Sequence, residues 1–341
     1  MAGVDLNVES VMKISSYKVL LLAGAMALNA ATAQAAEKVT FVLDWFPSAY
    51  IGFVHVGKLK GFFKEEGLDV DIETGRGGAD AIARVASGNA DVAAANIGAV
   101  LNAAAESKVP AKVVMSVYTK APDAILTYEG SGINSIADLK GKTLATGTYS
   151  GSNAVWPVVA KKNGISPDDV KLQKVDFQAL GPMLATGKVD AIISWVTSKS
   201  LNGKQLAQAG KKIKVLPWSD YGFSGYNWSL VASDKMIKER PEVLAKFNKA
   251  FLKSEKYFIA HPEQAAKDMH EAAPDTDVDT NLDEIKAMIP LIDNEITKRD
   301  GFGKLEPALV EDAWKAIADS QGYAMDRLDP ESVIDRSFIP E

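Results

Sequence analysis

The sequence predicts an α/β protein built from parallel, doubly wound sheets. Short apolar or alternating runs of strand length recur along its first two thirds. Segments with apolar residues at helical spacing separate them. The two kinds alternate, and a βαβ series folds most readily into a parallel sheet with helices on both faces.

In chain order, "VTFVL" (39–43) reads as a strand and "IGFVHVGKLKGFFKEEG" as one helix running to about Glu66. "LDVDIET" (68–74) alternates apolar and polar residues, the period of a half-buried strand. "GADAIARVASG" reads as a helix, with Ala79, Ile82, Val85 and Ala86 on one face and Gly88 as its stop. Strand "ADVAAAN", helix "GAVLNAAAES" and strand "AKVVMSVYT" complete the first series. A second series opens with the short capped helix "INSIADLKG" and the strand "TLATG". The helix "SGSNAVWPVVAKKNG" follows, its Pro157 expected in a first turn, where a missing N–H is tolerated. Then come strand "VKLQKVD", helix "FQALGPMLATG", strand "VDAIISW", helix "SLNGKQLAQAG" and strand "KKIKVLPW". A last strand, "YNWSLVAS", leads into a helical C-terminal third with Pro241 near the start of its main helix.

A chain of 341 residues, 47% hydrophobic and 24% charged, has room for two domains. Its net charge of −6 argues against nucleic acid as a partner, because that needs a basic patch. Residues 12–35 have the form of a secretory signal peptide: Lys13 and Lys18, a short apolar core from Val19 to Leu28, and Ala33-Gln34-Ala35 before a cleavage site. That core is too short to cross ~30 Å of hydrocarbon, so export to the periplasm is expected. The absence of cysteine removes disulfides and thiolate chemistry. The three histidines are scattered, and "DTDVD" (275–279) lacks the Gly and Glu of a calcium loop, so no metal site is expected.

Ligands of open α/β sheets sit beyond the carboxyl ends of strands. Five loops there are rich in aromatic, polar and glycine residues: "DWFPSAY", "TGRGGAD", "ANIG", "GTYSGS" and "SWVTS". Trp45 and Tyr50 are surplus to the needs of a turn, which asks for Gly, Asn, Asp or Ser. With Trp195 and Tyr226 they are candidates to stack on a flat ring; as core or hinge aromatics they would need no ligand. Gly77 and Gly78 free backbone N–H groups for a ligand, with Arg76 available to a carboxylate or sulfonate, unless the loop is a flexible turn with a solvated arginine. Asn96 belongs to a third loop. Ser150, Gly151 and Ser152 cap a helix start, with or without N–H groups left for a ligand. No nucleophile elbow occurs, so no catalytic residue is assigned.

The run "LDWFPSAYIGFVHVGKLKGFFKEEGLDVDI" resembles the opening of periplasmic substrate-binding proteins of ABC importers, in the superfamily that binds thiamine pyrimidine precursors, alkanesulfonates and taurine. The resemblance continues through "GGADAIARVASGNADVAAANIGAV", "SGINSIADLKGKTLATGTYSG", "LATGKVDAIISW" and "SDYGFSGYNWSLVASDKMIKERPEVLAKFNKAF". It implies a type II periplasmic binding fold: two α/β lobes joined by a two-strand hinge, with residues 36–125 and 228–341 in the first lobe and 126–227 in the second. It implies a monomeric, non-enzymatic receptor without a cofactor, which delivers a small ligand to an inner-membrane permease. The thiamine-precursor branch is the nearer one; a sulfonate, taurine or a small aromatic carboxylate is the alternative ligand. Ile51 stands where that branch commonly has His. Together with the lack of cysteine, this speaks against a pyrimidine-synthesising enzyme.

Overall fold

The computed structural model describes residues 36–223 and 225–341; the segment 12–35, expected to be a signal peptide, lies outside the described residues. Two five-stranded sheets organise the chain. The first contains β1 (Glu37–Leu43), β2 (Leu68–Thr74), β3 (Val92–Asn96), β4 (Ala111–Ser116) and β10 (Trp228–Ser233), in the order β2-β1-β3-β10-β4. The second contains β5 (Asp123–Tyr128), β6 (Thr143–Gly147), β7 (Lys171–Val175), β8 (Ala191–Trp195) and β9 (Ile213–Pro217), in the order β7-β6-β8-β5-β9.

Both sheets are mixed, which corrects the expectation of parallel sheets. β1 pairs in parallel with β2 and β3, as alternation implied. β10 enters between β3 and β4, antiparallel to both, and β5 runs antiparallel to β8 and β9. Each of these strands reaches its sheet by crossing from the other one, so no local βαβ pattern specifies its direction. The crossings are residues 117–122 and 218–227; the boundary expected after 125 falls inside β5. They are bonded side by side where they meet β10: Asn227 N–H donates to the Tyr118 carbonyl (3.0 Å), and Tyr118 N–H to that of Trp228 (2.9 Å).

Alternation sorts the core. On β1, Phe41 and Leu43 face one helical layer and Val42 the other. β3 is buried along its whole length and uses alanine at 93–95, because helices press on both faces. Helices α1 (Phe53–Leu59) and α2 (Phe62–Glu65) replace the single helix expected there, since Gly61 adopts φ +77° between them. α3 (Gly78–Ala86) and α4 (Ile97–Glu106) follow β2 and β3. In the second lobe, α5 (Ser152–Lys162) carries Pro157 as its sixth residue, not in the first turn; one helical hydrogen bond is lost there. α6 (Leu180–Ala185) and α7 (Lys199–Gln208) complete that lobe's helical cover.

The C-terminal third is helical: α8 (Asp234–Glu239), α9 (Pro241–Ala260), α10 (Pro262–Ala272), α11 (Val278–Ile292), α12 (Glu295–Asp300) and α13 (Pro307–Gln321). α9 buries Leu244, Phe247, Phe251 and Phe258 at helical spacing against the first sheet, where Phe247 stacks on Phe41 at 5.5 Å. Asp277 caps α11, accepting from Thr280 N–H at 2.9 Å, and pairs with Lys204 at 2.7 Å; the "DTDVD" run therefore serves the fold.

Candidate ligand-binding site

The loops beyond β1, β2, β3, β6 and β8 converge where the two lobes meet. From the first lobe come Asp44, Tyr50, Gly78 and Asn96; from the second, Gly151, Ser152 and Trp195. The crossings contribute Tyr118, Pro122 and Asn227, and β10 contributes Trp228. A cavity of about 20 Å³ is left between them, room for about one water. The lobes are closed on each other, and any larger solute enters only as they part.

Aromatic rings from both lobes interlock at this seam. Trp195 lies 5.3 Å from Tyr50 and 6.1 Å from Trp45, between ring centroids. Phe177, which the sequence reading did not single out, sits edge-on to Trp45 at 4.0 Å and stacks on Trp195 at 5.1 Å. Tyr50 belongs to the short helical turn Ala49–Ile51, whose Ala49 N–H donates to the buried Glu284 carboxylate at 2.9 Å. The Tyr118 hydroxyl fixes the same turn by donating to the Tyr50 carbonyl.

Several of the expected polar residues have their side chains engaged in the fold. Asn96 caps α4, accepting from Gly98 N–H at 2.7 Å. The Ser152 hydroxyl donates to Asp123 at 2.5 Å, and the Asn227 amide donates to the other oxygen of the same carboxylate at 2.6 Å. This buried triad ties both crossings to the start of α5, and burial raises Asp123 to about 6, against the hydrogen bonds that stabilise its charge.

Other expected residues lie away from the cavity. Arg76 is on the rim with a mostly exposed side chain, held by Asp80 at 3.4 Å and lying over the Tyr149 ring at 5.2 Å. Gly77, at φ +134°, packs against the backbone of Tyr149. Ser150 lines a neighbouring surface groove and accepts from Ser152 N–H. Tyr226 is buried behind the hinge, its hydroxyl accepting from Glu306 N–H at 2.9 Å.

Asp44, Tyr118, Phe177 and Trp228 were missed because each has an ordinary reading in sequence: a turn aspartate, a strand-end tyrosine, a helix-start phenylalanine, a strand tryptophan. Their signal is tertiary. Asp44 Oδ1, Tyr50 OH, Trp45 Nε1 and Trp228 Nε1 are all buried without a hydrogen-bond partner. A native protein leaves few such atoms, and those of Asp44, Tyr50 and Trp228 belong to residues bordering one cavity, which calls for an explanation. Burial pushes Asp44 up to about 7, the nearby Trp228 indole opposing the rise. Glu284 is raised by burial to about 7, and Tyr50 and Tyr118 well above the usual phenol range. Among the described residues, no Lys, Arg or His lines the cavity.

The arrangement suits a flat solute that offers hydrogen-bond donors to a buried carboxyl. Known proteins resemble the chain in sequence and in fold. The family model described as "NMT1/THI5 like" matches residues 48–265. The formylaminopyrimidine-binding protein of Halalkalibacterium halodurans is 29% identical over 248 residues, covering 72% of this chain and 74% of that protein. A 4-amino-5-hydroxymethyl-2-methylpyrimidine phosphate synthase of Candida albicans is 27% identical over 256 residues, 72% of this chain and 74% of its own. Among solved structures, the alkanesulfonate-binding protein SsuA of Xanthomonas axonopodis pv. citri, bound to MOPS, superposes with a TM-score of 0.70 at 16% identity, covering 89% of this chain and all of that one.

Proposed function

Because the chain belongs to the NMT1/THI5-like family, we propose that it is a non-catalytic solute receptor for a flat nitrogen heterocycle of the thiamine pyrimidine-precursor kind. The fold is that of the type II periplasmic binding proteins, as the sequence implied. In this reading the exported protein captures its ligand between the lobes and presents the closed form to an inner-membrane permease. A ligand that touches both lobes favours closure by its extra affinity for that state.

The observation that carries the proposal is the cluster of unpartnered buried polar atoms inside an aromatic cage. Asp44 Oδ1, Tyr50 OH and Trp228 Nε1 supply directional contacts, and Tyr50, Trp45, Phe177 and Trp195 supply ring faces. The relative that binds formylaminopyrimidine supports the ligand class.

A sulfonate reading has one observation in its favour: the N-termini of α3 and α5, at Gly78 and Ser152, both line the cavity, and helix N-termini suit anions. Asp44 and Asp123 oppose it, being two buried carboxyls with no lining cation to offset them. Titration calorimetry with 4-amino-5-hydroxymethyl-2-methylpyrimidine, formylaminopyrimidine and taurine tests the choice, alongside mass spectrometry of solutes that co-purify. One equivalent of pyrimidine bound and recovered unchanged is expected. Consumption beyond one equivalent would make the protein an enzyme.

A further inference from the structure

Asp44 is 8% exposed, and its Oδ1 has no partner within the protein. A buried carboxylate without a cation or donors is costly, and the protein relieves that cost either by keeping the group neutral or by leaving its partner to the ligand. The surroundings allow no third route. Tyr50 on its own loop and Tyr118 from the first crossing feel the charge of Asp44 and of Glu284 from α11, and Tyr118 also that of Glu255 from α9; Asp123, at the head of β5, is held by the cavity residues Ser152 and Asn227. All are neutral or acidic. Glu284 already accepts from Ala49 N–H, and Asp123 is satisfied by Ser152 and Asn227.

Resting on the heterocycle reading above, we infer that Asp44 is the specificity-determining group and that it reads an acceptor–donor edge, such as a ring nitrogen beside an exocyclic amine. It does so as a neutral carboxyl: its O–H donates to the ring nitrogen and its carbonyl oxygen accepts from the amine. At a pH where free Asp44 is ionised, each ligand bound therefore takes one proton from solvent. Tyr50 OH and Trp228 Nε1 remain for a polar substituent on the ring. An anionic solute finds no complement at this position.

The sign follows directly. Burial places Asp44 near pH 7 in the closed cleft. Affinity is therefore highest at or below neutrality and falls above it, approaching about tenfold per pH unit once the free carboxyl is ionised.

The test uses 4-amino-5-hydroxymethyl-2-methylpyrimidine and its analogue with methyl in place of the amine. Binding is followed by calorimetry from pH 6 to 8.5, in two buffers of different ionisation enthalpy. Wild type should bind the amine at least tenfold more tightly than the methyl analogue and take up about one proton above pH 7. Asp44→Asn keeps an acceptor and a donor but cannot ionise, so it should bind with a flat pH profile. Asp44→Leu should lose at least a hundredfold. Wild-type affinity in Asp44→Leu overturns the role of Asp44 while leaving the heterocycle reading intact. Proton uptake that persists in Asp44→Asn and vanishes in Glu284→Gln does the same, moving the proton to Glu284. Failure of wild type to bind either pyrimidine overturns the heterocycle reading itself, and this inference with it.

Discussion

Trp195 is the residue on which the two lobes meet, touching Tyr50 and Trp45 of the first lobe and Phe177 of its own. If these rings clasp a heterocycle, Trp195→Ala and Phe177→Ala should each weaken its binding tenfold to a hundredfold, about 1–3 kcal/mol. Calorimetry reads that loss, and far-ultraviolet circular dichroism should stay unchanged. The buried acids give a second prediction. Asp44, Asp123 and Glu284 have folded-state values of about 7, 6 and 7, all above those of an unfolded chain. Through these three groups the folded protein holds more protons than the unfolded chain between about pH 4 and pH 7; His55, lowered by burial to about 4, offsets part of this, and on balance stability falls as pH rises through that window. The melting temperature of ligand-free protein should be higher at pH 5 than at pH 8, and the difference should shrink in Asp44→Asn. A melting temperature that rises over this range would contradict the assignment. At this scale the sequence exposed Trp45, Tyr50 and Trp195, because an aromatic in a βα turn has no turn-forming role. It hid Asp44, since an aspartate in a turn is unremarked until its carboxyl is seen buried and alone. Arg76 drew attention by its charge among glycines, yet its side chain is 72% exposed and its contacts are Asp80 and Tyr149.

The loop from β2 to α3 shows how an element encodes closure. Gly77 combines φ +134° with contact across the seam: a Cβ there would lie 2.3 Å from the Tyr149 carbonyl oxygen. That oxygen is backbone and belongs to the other lobe, so the clash exists only when the lobes are shut. Gly77→Ala should therefore fold but close poorly. Pyrimidine affinity should drop by at least tenfold, and small-angle scattering should show a larger radius of gyration than wild type at saturating ligand. An unchanged radius would mean that the loop yields without cost. The glycine pair was visible in the sequence; its purpose was not, since the Tyr149 carbonyl sits in the second lobe. Gly61 and Pro157 carry a smaller lesson. Gly61 splits an apparent single helix, while Pro157 is tolerated inside α5, whose Val155, Trp156 and Val159 are buried.

Across the whole molecule, closure is sealed by contacts far from the aromatic cage. α7 of the second lobe meets α11 through Lys204 and Asp277 (2.7 Å), Lys204 and the Thr280 hydroxyl (2.5 Å), and Ser200 and Asp283 (2.7 Å). Both ionic side chains of the first pair are more than half exposed, so the pair is worth little, and what it contributes is screened by salt. Lys204→Ala should weaken ligand binding by about twofold to fivefold at low ionic strength, with the difference fading by 1 M salt. A deficit that persists at high salt would point to packing instead. α11 also anchors the hinge, its Leu291 carbonyl accepting from Thr119 N–H at 3.0 Å. The helix that receives the Lys204 contact thus also holds one of the strands about which the lobes would swing.

By itself the sequence marked most of the strands and helices, though neither β5 nor the break at Gly61, together with the two α/β units and the loops that face the cleft. These follow from periodicities of two and of 3.6 residues and from turn chemistry, all local in the chain. Tertiary structure alone decided that β5 and β10 run antiparallel, that Phe177 joins Trp45 and Trp195, and that Asp44 is buried without a partner. Each of these depends on residues distant in sequence being brought together, and desolvation and hydrogen-bond satisfaction are properties of that assembled neighbourhood. No window along the chain contains them.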